Sequence, residues 1–188
     1  MKEVLGLVAV ALSIIGHAPY IKDTINKKTK PHVFTWLVWS IVTTLAFLAQ
    51  WVKGGGAGSW TTGVTGVITI IIMLLALKNG TKDIKTIDKI FFAGALLAII
   101  PWYLTKDPTL SVIMITTIDV LAFFPTIRKT INDPTSETFF MYALNLFRHS
   151  ISILALATYN ISTVLFPAAI LVMNGVMTAI MLRPKYKK

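Results

Sequence analysis

The chain has 188 residues, 55% of them hydrophobic and only 14% charged, with a mean hydropathy of +0.71. A soluble domain is about one quarter charged, so this composition excludes an ordinary soluble globule and points to an all-α polytopic membrane protein. The net charge of +10 does not imply nucleic acid, because the bases sit in short turns between apolar runs, and the absence of cysteine excludes disulfides, thiolate chemistry and cysteine-ligated metal.

Seven spans are predicted: Val4–Lys22, Pro31–Val52, Trp60–Leu77, Ile87–Leu104, Leu110–Arg128, Thr138–Thr158 and Ser162–Leu182. Each is roughly 17–22 residues, long enough to cross a ~30 Å hydrocarbon core. The first is read as a retained helix rather than a signal peptide. Met1-Lys2-Glu3 is a weak basic start, and Gly16-His17-Ala18-Pro19 is a poor cleavage context. Between spans 2 and 3, the run from Gly54 to Gly58 lacks the Gly-Lys-Ser/Thr ending of a phosphate loop and is expected to be a flexible turn. Gly63 and Gly66 are expected to permit close helix packing. Basic residues cluster in alternate turns: Lys22, Lys27, Lys28 and Lys30; Lys78, Lys82, Lys85 and Lys89; Arg128 and Lys129; then Arg183, Lys185, Lys187 and Lys188. The opposite side has only Lys2, Lys53 and Lys106. The positive-inside rule then puts the N-terminus outside and the C-terminus in the cytoplasm, in a plasma or inner membrane.

Residues 19–39 have an echo in residues 125–145. Pro19/Pro125, Ile21/Ile127, Thr24/Thr130, Ile25/Ile131, Asn26/Asn132, Thr29/Thr135 and Phe34/Phe140 match at one offset (125 − 19 = 106) without a gap. A constant offset of this kind indicates internal duplication. Two three-helix units joined directly would lie in opposite orientations, and one extra helix restores the orientation. Span 4, which has no counterpart, is that inverter. The expected architecture is 3+1+3, with a first triple-helix bundle in residues 1–80, the inverter in 81–106 and a second bundle in 107–188. Parallel repeats of this kind are a known transporter plan.

This arrangement, with a proline near the basic end of spans 1 and 5, resembles the PQ-loop superfamily. That superfamily contains the SWEET sugar transporters, lysosomal amino-acid exporters and the KDEL receptor. The glutamine that would follow each proline is replaced by Tyr20 and Thr126, so the chain reads as a divergent member. The resemblance implies that Pro19 and Pro125 are hinges for alternating access. Each proline removes a hydrogen bond to a carbonyl four residues earlier, at Ile15 and Leu121. A static bend is the alternative.

Asp119 and Arg148 are the acid and the permanent base deep within the spans. Both lie at similar depth, and an isolated charge there costs at least ~2.5–3.5 kcal/mol, so an ion pair between spans 5 and 6 is expected. It would be either a structural clamp or an ionisable site for protons or substrate. The matching positions in the first repeat are Ser13 and Val42. His149 follows Arg148 about 100° around the helix, as a proton shuttle or a hydrogen-bonding neighbour. His17 is placed to satisfy the carbonyl that Pro19 frees, and His32 lies in a turn. Three scattered histidines make no metal site. Asn174-Gly175 resembles the SWEET asparagine that contacts sugar, with Thr69 as its partner on span 3; an interhelical hydrogen bond is the alternative. Trp36, Trp39, Tyr142 and Asn145 either line a cavity or anchor the interface.

The leading expectation is a transporter or facilitator of a small polar solute, a sugar or an amino acid, working by alternating access. The alternative is a non-transporting receptor or sorting protein on the same fold. An enzyme is disfavoured, since no nucleophile–base pair or metal cluster is visible. No cofactor is expected. The partners are the lipid bilayer and a small-molecule solute, with no nucleic acid, and self-association into a homo-oligomer is left open.

Overall fold

A computed structural model describes residues 1–27, 31–80, 86–132 and 139–183, without the side chains of residues 88, 124–126, 128, 129 and 132. These residues form helices and no strand: α1 (Lys2–Ile25), α2 (Val33–Val52), α3 (Ala57–Asn79), α4 (Thr86–Leu97), α5 (Ile99–Thr105), α6 (Thr109–Asn132), α7 (Phe139–Leu154) and α8 (Ile161–Met181). The helices α1, α2, α3 and α8 are long and apolar enough to cross a membrane, and Lys89–Thr105 and Thr109–Phe123 are shorter apolar stretches. At 16 residues, α7 is ~24 Å long at 1.5 Å per residue and ends before Thr158.

The distribution of side chains is that of a protein solvated by lipid. On α1 the exposed positions include Val4, Leu7, Ile14 and Ile15, while the buried ones are Gly6, Ala9, Ser13 and Thr24. On α3, Val67, Ile70, Ile71 and Leu74 face outward while Thr61, Thr62 and Thr69 are buried. Exposed aliphatic faces around a polar interior would cost a water-soluble fold heavily. In hydrocarbon the same arrangement is favourable, because lipid gives polar side chains no partner.

Local chemistry explains the helix ends. Asn160 and Thr163 form a reciprocal capping box at the start of α8, and His32 caps α2 by accepting from the Thr35 N–H. The expected single span over Ile87–Leu104 is interrupted at Ala98. Pro101 has no N–H for the carbonyl of Leu97, which is where α4 stops.

Helices adjacent in the chain are not always adjacent in space. The helix α3 packs against both α1 and α2, and α8 packs against both α6 and α7, while α1 with α2 and α6 with α7 make at most marginal contact. Across the molecule α1 packs on α7 and α2 on α6, and α2 meets α8 where α3 meets α7. Each contact therefore has a counterpart one repeat away. The helices α4 and α5 lie against this assembly through α2 and α6, and Ala95 and Ala98 join Val42, Ala46, Ile115 and Phe166 in one buried cluster.

The glycine run is not the flexible turn expected from its composition. Gly54 and Gly56 adopt positive φ (77° and 56°), a region open to glycine without steric cost. The Gly55 N–H donates to the Gln50 carbonyl at 2.7 Å, and the Gly55 carbonyl accepts from Ala157 N–H at 3.0 Å. A Cβ on Gly58 would lie 2.6 Å from Leu156 N and from the Ser152 carbonyl, so the turn is pressed against the α7–α8 connection. Of the two packing glycines named from sequence, Gly63 is tight against Phe47 and Gly66 has ordinary room beside Thr44.

More contacts tie this end of the bundle. Lys2 Nζ donates to the Leu156 carbonyl at 2.5 Å, Asn160 Nδ2 to the Lys53 carbonyl at 3.2 Å, and Lys53 Nζ to Asp107 Oδ2 at 2.5 Å. Hydrogen bonds from Lys53 and Thr109 hold the Asp107 carboxyl well below the usual carboxylate range. Deeper in, Pro167 inside α8 leaves the Thr163 carbonyl without its helical donor, and Gln50 Nε2 on α2 donates to it at 3.2 Å.

Candidate functional site

A cavity of about 360 Å³ lies between the helices, within the ~300–1,000 Å³ range of small-molecule sites. Its walls come from one face of each of six helices: Gly16, His17 and Tyr20 on α1; Trp36, Trp39 and Thr43 on α2; Thr62, Thr65 and Thr69 on α3; Asp119, Ala122 and Phe123 on α6; Met141, Tyr142, Asn145, Arg148 and His149 on α7; and Phe166, Ile170 and Asn174 on α8. His32 and Thr35 line the end near the start of α2. The three- and four-residue spacing on each helix is what puts these side chains on one stripe. All seven solute-binding candidates, Thr69, Trp39, Asn145, Asp119, Arg148, His149 and Asn174, meet here. Described residues of α4 and α5 contribute nothing to the lining.

The expected ion pair does not form. Arg148 Nη1 donates to Thr65 Oγ1 at 2.6 Å and to Ser13 Oγ at 3.0 Å, and its Nη2 meets His149 Nε2 at 2.8 Å. Asp119 has no hydrogen-bond or ion-pair partner among the described residues. Both residues are buried, at 4% and 6% exposure. The reason is topological: α8 packs against both α6 and α7, which make at most marginal contact with each other, and Arg148 bonds to α1 and α3 instead. Ser13, which holds Arg148, is the position one repeat before Asp119.

Of the two histidines, His149 takes the hydrogen-bonding alternative, and His17 departs from expectation. His149 is in direct contact with Arg148 rather than turned away from it. A guanidinium only donates, so His149 Nε2 accepts and the ring proton sits on Nδ1, which is buried without a partner. His17 Nδ1 lies 2.7 Å from the Ser13 carbonyl, one turn below, and not on the Ile15 carbonyl that Pro19 frees. The helix α1 runs unbroken through Pro19, which is exposed. Pro125 lies within α6, and its side chain is outside the described residues.

Asn174 Nδ2 donates within its own helix to the Ile170 carbonyl at 2.7 Å, so the alternative of an interhelical bond is not seen among the described residues, and Oδ1 is buried unpaired there. Thr69 likewise bonds within α3, to the Gly66 carbonyl at 2.7 Å. Trp36 is buried rather than at an interface. Its ring centroid lies 5.1 Å from those of both Tyr20 and Trp39, and its Nε1 donates to the Tyr20 hydroxyl at 3.3 Å. Together they form an aromatic wall across α1 and α2.

Buried polar atoms without partners are uncommon in folded proteins. Among the described residues, Thr62 Oγ1, Arg148 Nε, His149 Nδ1 and Asn174 Oδ1 are four such atoms, and all belong to residues lining the cavity. No group of three or more His, Cys, Asp or Glu side chains suited to a metal ion occurs among the described residues. Sequence reasoning missed Thr65, which anchors Arg148, and Gln50. The signal for the first was present as Thr61, Thr62, Thr65 and Thr69 on one apolar helix. Comparison with family models, with curated proteins and with solved structures finds no match to this chain.

Proposed function

We propose that the protein is a membrane transporter or facilitator for a small polar solute, built as two three-helix units, α1–α3 and α6–α8, with α4–α5 as the connecting inverter. In this reading seven spans cross the membrane, with α4 and α5 together forming one, the N-terminus is outside and the C-terminus cytoplasmic. The fold is of the PQ-loop kind. The repeat-matched packing supports the 3+1+3 arrangement: α1 on α7 answers α2 on α6, and α3 on α7 answers α2 on α8.

The observation that carries the function is the cavity itself. It lies between the two units, draws polar residues from both, and holds buried polar groups without a partner among the described residues. Its lining starts at Thr62 and His149 and runs toward the end bearing His32, Tyr20 and Met141. The other end is closed by Lys2, the glycine turn and the Lys53–Asp107 pair. One closed end and one lined end is the arrangement alternating access needs, with rocking about Pro19 and Pro125 exchanging them.

Uptake into liposomes holding the purified protein tests the reading. Saturable, protein-dependent entry of a labelled sugar or amino acid is expected. Saturable binding with no flux for any solute would contradict transport and move the protein to the receptor reading.

A further inference from the structure

The transporter reading leaves the solute unnamed, and the two charges in the cavity constrain it. Arg148 is buried, permanently cationic, and held among the described residues by hydroxyls and an imidazole, with no described acid beside it. Asp119 is buried in another wall of the same cavity without a partner among the described residues. The two form no ion pair with each other, and their helices make at most marginal contact. A buried charge without its counterion is strongly unfavourable. A neutral sugar would leave both charges uncompensated, and a simple anion or cation would compensate one. A zwitterion compensates both and adds no net charge.

Resting on that reading of the cavity, we propose that the solute is of the amino-acid class, its carboxylate received by Arg148 and its ammonium by Asp119. The cavity also has an apolar and aromatic surface, through Trp36, Trp39, Phe166 and Ile170. It suits an amino acid with a large apolar side chain. Ser13 and Thr65 are positioning residues that hold the guanidinium. Asn174 Oδ1 remains as an acceptor for the ammonium.

The test is equilibrium binding to the purified full-length protein by calorimetry, with four probes: phenylalanine, 2-phenylethylamine, which lacks the carboxylate, 3-phenylpropionate, which lacks the amine, and glucose. Phenylalanine should bind at least tenfold more tightly than any other probe. Asp119→Asn should erase the preference for phenylalanine over phenylpropionate, and Arg148→Gln the preference over phenylethylamine. Arg148→Lys, which keeps the charge, should retain part of the latter. The four probes on the wild type need no variant, so a misfolded substitution does not shield the proposal. It is overturned if either single-charge analogue binds as well as phenylalanine, if glucose binds in its place, or if none of the four binds. Saturable glucose flux without phenylalanine binding would overturn this inference and leave transport standing. Phenylalanine binding without flux would do the reverse.

Discussion

Arg148 donates to Ser13 Oγ at 3.0 Å, and Ser13 occupies the position one repeat before Asp119. Position 13 thus meets an arginine across α1 and α7, while Asp119, the matching position 106 residues on, has no partner among the described residues. Placing a carboxylate at the first copy should complete a pair that the fold already aligns. Ser13→Asp is expected to raise stability by roughly 1.5–3 kcal/mol, the range for hydrogen bonds to charged groups, read as a higher thermal midpoint in detergent. It should also suppress binding at Arg148. An unchanged or lower midpoint would mean that Arg148 does not reach the position 13 side chain.

The same geometry predicts that Asp119 and Arg148 act independently. For residues without a shared partner, changes in stability add within about 0.3–0.5 kcal/mol. The double variant Asp119→Asn, Arg148→Gln should therefore show the sum of the single effects. A rescue of 1 kcal/mol or more over that sum would indicate a direct pair after all. Thermal unfolding of the four proteins in one detergent gives the answer.

Asp119, Arg148, Asn145 and Asn174 stand out in the sequence because a charge or an amide inside an apolar run has few innocent explanations. The Asp119–Arg148 pairing was not legible, because it assumed that neighbours in the chain are neighbours in the bundle. The packing of α8 against both α6 and α7 is a tertiary fact that no local pattern around residues 119 or 148 contains. Pro101 marked the break between α4 and α5 in advance, since its missing N–H falls on Leu97, but the apolar run masked it. The glycine turn misled for the opposite reason. Its composition suits a loose loop, and the close approach of Leu156 and Ala157 that requires those glycines comes from the other half of the chain.

Gln50 was likewise invisible as a functional partner of Pro167, because the two lie on different helices. Its amide replaces the helical donor that Pro167 lacks. Gln50→Leu should leave the Thr163 carbonyl buried without a partner and lower stability by about 1–3 kcal/mol. Pro167→Ala restores an N–H for that carbonyl, so it should reduce the cost of losing Gln50. Equal loss in both backgrounds, measured by denaturation, would count against this division of labour.

The Lys53–Asp107 pair makes the closed end sensitive to acid. Asp107 has a folded-state pKa held below its ordinary value of 3.8, chiefly by the hydrogen bond from Lys53. A depressed carboxylate contributes stability that is fully present above its unfolded pKa and lost as pH falls through the folded one. The thermal midpoint should be insensitive to this group at neutral pH and should begin to fall below about pH 4. In Asp107→Asn the midpoint at pH 7 should be slightly lower and that part of the acid dependence absent. Parallel pH profiles for the two proteins would exclude the pair as a contributor.

In the proposed mechanism one cavity between the two units is the solute's path and is reached from each side in turn. The natural chain has no cysteine, so a single Asn145→Cys variant gives a clean reporter in the cavity wall. In oriented vesicles, an impermeant thiol reagent should label it from the cytoplasmic face, and from the outer face more slowly, with solute altering the balance between the two. Labelling from either side should abolish flux. A cysteine that reacts from neither side, or one whose complete modification leaves flux unchanged, would contradict the account.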